Sequence, residues 1–186
     1  MNERLTPTPG QTVGPFFHYA LPFGRGAELV PPGHPGRVRL HGRVLDGAGE
    51  PVPDALVEVW QPDADGRVPR EAGSLRRDGF TFTGWGRAST DRTGRYSFAT
   101  VAPAPTEPGA APFVGVCVFA RGLLDRLLTR AYLPGDDAAL AADGLLASLP
   151  PERRATLLAV PDDTGFVFDI RLQGGAETVF LDHGGR

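Results

Sequence analysis

Cysteine is almost missing from this sequence, and lysine is missing altogether. The one cysteine, Cys117, rules out an internal disulfide, and its place in the apolar run FVGVCVFA predicts a buried, inert thiol. All 19 basic residues are arginine, which coding bias explains as readily as selection for bidentate contacts. No stretch approaches the roughly 18 apolar residues of a membrane span, and MNERLTPTPG has no hydrophobic signal core. A soluble, cytoplasmic protein is expected. A net charge of −3 and a pI near 5.8 give no electrostatic reason for nucleic acid or an anionic membrane. The four histidines, at 18, 34, 41 and 183, form no His-x-His or His-x-x-x-His pair, so no metal cage is legible. No serine sits in a recognisable nucleophile elbow, and the GAGE and GGAE stretches lead from no strand into a helix as a phosphate loop requires.

What is present is alternation. Val38, Leu40 and Val44 share one parity, and Arg39, His41 and Arg43 take the other, the period of a half-buried strand. The Asp46-Gly47-Ala48-Gly49 turn reverses the chain. A second strand alternates Ala55, Val57 and Val59 with Leu56, Glu58 and Trp60, and ends at Asp63-Ala64-Asp65-Gly66. After Thr90-Asp91-Arg92-Thr93-Gly94, a third carries Tyr96 and Phe98 on one face. Further strands are expected over 113–120, as a central strand, and over 127–133, 166–172 and 178–181. The Ala/Leu-rich 138–149 stretch and Pro151 followed by ERRATLLA predict one or two short helices near 138–158. Residues 1–37 have no sustained period, and their aromatic cluster Phe16, Phe17, His18, Tyr19 and Phe23 predicts an arm packed on its own sandwich or on a neighbouring chain. The 67–86 loop, with Arg70, Arg76, Arg77, Phe80, Phe82 and Trp85, is long enough to be functional or interfacial. The implied organisation is an arm, 1–37, and a single β-sandwich domain, 38–183.

Four stretches carry a resemblance: GRVLDGAGEPVPDALVEVWQPDADG, GRASTDRTGRYSFATV, LLTRAYLPGD and FDIRLQGGAETVFLD, joined by the arm's QTVGPFF. Together they resemble the intradiol ring-cleavage dioxygenases, and within that family the alpha-type subunits of the protocatechuate-cleaving branch. The resemblance implies a mainly β, prealbumin-like β-sandwich with long loops and an extended N-terminal arm. It also implies a ferric ion held by two tyrosines and a His-x-His pair, a donor set that suits hard Fe(III). Val68, Thr106, Phe113 and Gly115 stand at those four positions. The resemblance therefore implies a chain that binds no metal and pairs with a beta subunit carrying Fe(III). Its expected role is to complete the partner's pocket for cleavage of protocatechuate by O2 to 3-carboxy-cis,cis-muconate.

In such a pair, Thr12, Gly14 and Pro15 of the arm match residues that line the substrate pocket over the partner's iron, and a thin, rigid Gly-Pro backbone suits a flat ring. Phe16 stands where a tyrosine is common in relatives. Arg130 matches an arginine near the ring's acidic substituent, a use for which guanidinium is well shaped. Plainer roles compete: QTVGPFF as an ordinary packed arm, and Arg130 paired with a structural carboxylate. The alternative for the whole chain is a metal-free β-sandwich binding or scaffold module with no catalytic partner.

Overall fold

The alternating segments become two facing sheets. A computed structural model describes residues 8–71, 75 and 77–182; Arg76 and His183, both singled out above, lie outside the described residues. Strand β1 (Arg37–Leu45) pairs antiparallel with β4 (Arg95–Val101) and parallel with β8 (Gly165–Val167) and β9 (Ile170–Arg171); β7 (Val160–Asp162) completes this sheet beside β8. The second sheet runs β3 (Trp85–Ser89), β2 (Leu56–Trp60), β5 (Phe113–Phe119) and β6 (Leu127–Tyr132), all antiparallel, with β5 in the interior as expected. Leu40, Val44, Tyr96 and Phe98 of one sheet face Val57, Val59, Val114, Val116 and Val118 of the other, and all nine are buried. Burying each such side chain contributes about 1.5–3 kcal/mol, so this seam dominates the stability of the fold.

Polar ties hold the sheets in register. Gln61, fully buried at the end of β2, donates from Nε2 to the Val101 carbonyl (2.8 Å) and accepts from the Thr100 hydroxyl (2.7 Å), linking the second sheet to β4 of the first. The Tyr96 hydroxyl, buried beneath β1, donates to the Phe168 carbonyl. Gly42 lies under that same carbonyl, where a Cβ would collide with the oxygen, so only glycine lets the chain pass.

The structure departs from the alternation in four places. The 166–172 run is two strands, because at Phe168 the amide donates to the His41 carbonyl while Asp169 Oδ1 takes the Arg43 amide, and these bonds bend the chain between β8 and β9. Residues 178–181 form no strand; their backbone is tied singly, Thr178 N–H to the Arg171 carbonyl and Leu181 N–H to the Leu128 carbonyl. Strands β3 and β7 are additional, and Trp85 and Gly86 belong to β3 rather than to a loop. Three short helices replace the one or two expected: α2 (Asp137–Ala142), α3 (Gly144–Ser148) and α4 (Pro151–Ala155). Asp143 divides the Ala/Leu stretch, since its carboxylate caps α3 by accepting from the Leu145 and Leu146 amides. Ala139, Leu146 and Leu157 pack with Tyr132 in a satellite core beyond the edge strand β6.

The N-terminal segment contains one turn of helix, α1 (Phe17–Ala20). Phe17 packs on Phe119 of β5 (ring centroids 5.3 Å apart), Phe23 stacks on Trp85 of β3 (5.7 Å), and Leu29 and Val30 are buried against the sandwich. Phe16 and Tyr19 are 75% and 78% exposed, so this stretch is only partly covered by its own chain.

Candidate functional site

Strand parity turns Phe113, Gly115, Cys117 and Phe119 of β5 away from the core, together with Glu58 and Trp60 of β2, Trp85 and Arg87 of β3, and Leu128 and Arg130 of β6. All of these but Arg87 line a mostly apolar hollow of about 420 Å³ on the outer face of the second sheet. Gly115, in register with Trp60 and Arg130, provides its floor by lacking a side chain.

The charges around the hollow are ordered. Arg87 donates to Glu58 from both Nε and Nη2 (2.8 and 2.6 Å) in a largely buried pair, and its Nη1 reaches the Leu21 carbonyl at the end of α1 (3.0 Å). The Arg130 guanidinium lies 4.3 Å from the centre of the Phe113 ring and donates to the Tyr132 hydroxyl (3.0 Å), which in turn donates to Asp143 (3.0 Å). Arg130 is thus held against an aromatic wall at the rim. Cys117 is half-buried and faces the hollow, not the core as its apolar neighbours suggested, because alternation sends Val116 and Val118 inward instead. Burial, helped by the negative charge of Glu58, pushes its thiol up to about 12. At neutral pH it is a protonated thiol and no nucleophile.

The four positions at which the resemblance implies metal ligands can be placed in space. Phe113 and Gly115 line the hollow; Val68 is 48% exposed and Thr106 lies on an exposed bend. The loops carrying Val68 and Thr106 meet, since the Ala104 amide donates to the Asp63 carbonyl (3.0 Å) and Gly66, at φ +81°, admits the Pro105 carbonyl where a Cβ would collide. An apolar branched chain, a neutral hydroxyl, a phenyl ring and a glycine offer no donor set that fits Fe(III). Among the described residues no group of three or more His, Cys, Asp and Glu is placed to hold a metal ion.

The residues expected to touch substrate do not gather around one pocket of this chain. Thr12, Gly14 and Pro15 are exposed on the N-terminal segment; the Thr12 hydroxyl accepts from the Gly122 amide (2.7 Å) and so ties that segment to the β5–β6 turn, while no atom would obstruct a Cβ at Gly14. Arg130 stands apart from them in the hollow. Phe119 and Arg126 join the two places, bordering both the hollow and a shallow groove lined by Gln11, Val13 and Phe17. Trp85 had been singled out only as part of the long 67–86 loop, and the other walls, Trp60, Phe119 and Leu128, were given no functional role from sequence, although large apolar residues at the outward parity of strands were the available signal.

A family model described as Dioxygenase matches residues 14–174. The chain belongs to the intradiol dioxygenase family. Among curated relatives, the alpha chain of protocatechuate 3,4-dioxygenase from Burkholderia cepacia is 39% identical over 193 residues, 96% of this chain and 98% of its own length. The beta chain of protocatechuate 3,4-dioxygenase from the same organism is 36% identical over 156 residues, 74% of this chain and 65% of its own length. Of solved structures, the dioxygenase domain of a carbohydrate-binding fusion from Streptomyces sp. SirexAA-E superposes with a TM-score of 0.60 at 27% identity, covering 91% of this chain and all of that one. The sandwich described above is thus the intradiol dioxygenase fold, and among the described residues no helix is long and apolar enough to cross a membrane.

Proposed function

We propose that this chain is the metal-free alpha-type subunit of a protocatechuate 3,4-dioxygenase, paired with a beta-type chain that carries the Fe(III). The assembly cleaves protocatechuate with O2 to 3-carboxy-cis,cis-muconate in the cytoplasm, as a step in the breakdown of aromatic compounds. Its division of labour rests on one observation: a frame matched over 96% of its length to an alpha chain carries Val68, Thr106, Phe113 and Gly115 where the family's iron ligands belong. The similarity to a beta chain supports a partner of the same fold.

In this reading residues 1–37 are an arm that packs both on its own domain and on the partner, and 38–183 form one domain. Thr12, Gly14 and Pro15 cover the partner's substrate, and Arg130 steers the ring's carboxylate. The exposed Phe16 and Tyr19 support an arm that needs covering. The test is to express the chain alone and with a beta-type chain, then follow oxygen uptake with protocatechuate and assay iron. The pair is expected to be active and iron-loaded, and the chain alone neither. Ring cleavage and stoichiometric iron in the solitary chain would overturn the proposal.

A further inference from the structure

The outer face of the first sheet carries a row of charge that the dioxygenase reading does not use. Arg39, His41 and Arg43 alternate outward along β1, and Ser97 and Arg95 stand opposite His41 and Arg43 on β4. Arg43 and Arg95 are thus directly paired across the strands, an arrangement of like charges that costs stability unless something lies between them. No ion pair with a carboxylate among the described residues involves Arg39, Arg43 or Arg95.

The nearby acids are committed elsewhere. Asp162 holds the His41 ring (2.9 Å) and the Thr164 and Gly165 amides; Asp169 accepts from the Arg43 amide; Asp91 closes the β3–β4 turn and feels the Arg95 charge only as the smallest cause of its lowered pKa. The Arg39 head is already oriented, its Nε donating to Ser97 Oγ (2.8 Å). Arg39, Arg43 and Arg95 border a hollow of about 360 Å³ in which Asp169 is the one carboxylate, so three positive charges against one negative leave a surplus of two. This surplus sits in a chain whose net charge is −3.

We propose that this face binds a small polycarboxylate anion. Arg39 and Arg43 are four residues apart, about 13 Å along a strand, with Arg95 across from the latter. Long arginine side chains can converge on one ligand, so several carboxylates on one molecule can engage more than one of these guanidiniums at once, whereas a compact phosphate meets one end of the row. Guanidinium pairs with carboxylate through charge-assisted, bidentate bonds. The ring-opened tricarboxylate of the proposed reaction is of this class, but the site stands without that reading.

The experiment is isothermal titration of the full chain, in complex with its partner where one co-purifies, with citrate, inorganic phosphate and acetate at low ionic strength. Citrate is expected to bind once per chain, more tightly than phosphate and more weakly as salt is added; acetate is expected to give no binding. The double substitution Arg39→Gln with Arg95→Gln is expected to weaken citrate by about tenfold or more, as loss of charged hydrogen bonds implies. Arg67→Gln, on a loop that does not border this hollow and paired with Asp65, is expected to change nothing. Phosphate binding as tight as citrate, citrate binding that survives the double substitution, or equal weakening by Arg67→Gln would each overturn the site. Thermal unfolding without citrate checks the fold of each variant. Should the double variant not fold, Arg43→Gln, with an exposed side chain, carries the same test.

Discussion

Gln61 shows how much one buried amide does in this sandwich. Besides the neighbouring Pro62 carbonyl, its two partners across the sandwich, the Thr100 hydroxyl and the Val101 carbonyl, lie at the end of β4, so the side chain fixes how far the sheets slide past one another. Gln61→Leu keeps the volume but leaves both partners unsatisfied in a dry environment, and is expected to cost about 1–3 kcal/mol. Urea unfolding checks this: the midpoint falls while the slope is unchanged. Arg130 is the opposite kind of residue, set on the Phe113 ring and tethered to Tyr132 at the rim of the hollow, with no part in the main core. In the assembled dioxygenase, Arg130→Gln is therefore expected to leave the fold intact and raise KM for protocatechuate by about tenfold or more, the loss of one charged hydrogen bond. An unchanged KM would leave Arg130 a structural residue of β6.

At the scale of elements, the turns are built on aspartates that accept backbone amides, and this makes the fold sensitive to acid. Asp78 takes the Phe80 and Thr81 amides and the Thr81 hydroxyl; Asp162 takes the Thr164 and Gly165 amides and pairs with His41. These bonds hold both carboxyls at about 2, below the ordinary 3.8. The folded chain therefore binds fewer protons than the unfolded one between about pH 4 and 2, so stability present above that window is lost as pH falls through it. Acid titration followed by circular dichroism is expected to show unfolding there, with a shallower pH dependence in Asp162→Asn. The Asp46-Gly47-Ala48-Gly49 turn, the Asp63 turn and the long alternating strands were legible in sequence because period and turn chemistry agree at each. Trp85 to Ser89 and Val160 to Asp162 were not: both are short, neither alternates cleanly, and each becomes a strand through pairing with β2 or β8. Asp143 misled in the other direction, since a capping carboxylate inside an Ala/Leu run reads as an exposed helical residue until the break is seen.

For the molecule as a whole, the legible part of the site was what had been vacated. Val68, Thr106, Phe113 and Gly115 could be placed by motif, but the hollow that Phe113 and Gly115 line depends on Trp60, Trp85 and Leu128 converging from three other strands, which no local pattern records. The same geometry predicts where a partner docks. Phe17 rests on Phe119, and Phe119 also borders the hollow, so the N-terminal segment and the sheet face form one continuous surface. On it Phe16, Tyr19, Leu124 and Trp60 remain exposed, a grouping of large apolar side chains that a lone soluble chain seldom leaves in water. A beta-type chain that meets the arm must therefore also cover Trp60, which is 51% exposed in the single chain. In a Trp85→Phe background, which leaves Trp60 as the reporter within this chain, binding of a tryptophan-free variant of the partner is expected to shift the emission to the blue and suppress acrylamide quenching. Unchanged quenching in a complex shown to be intact by gel filtration would place the partner on another face and detach the hollow from the dioxygenase interface.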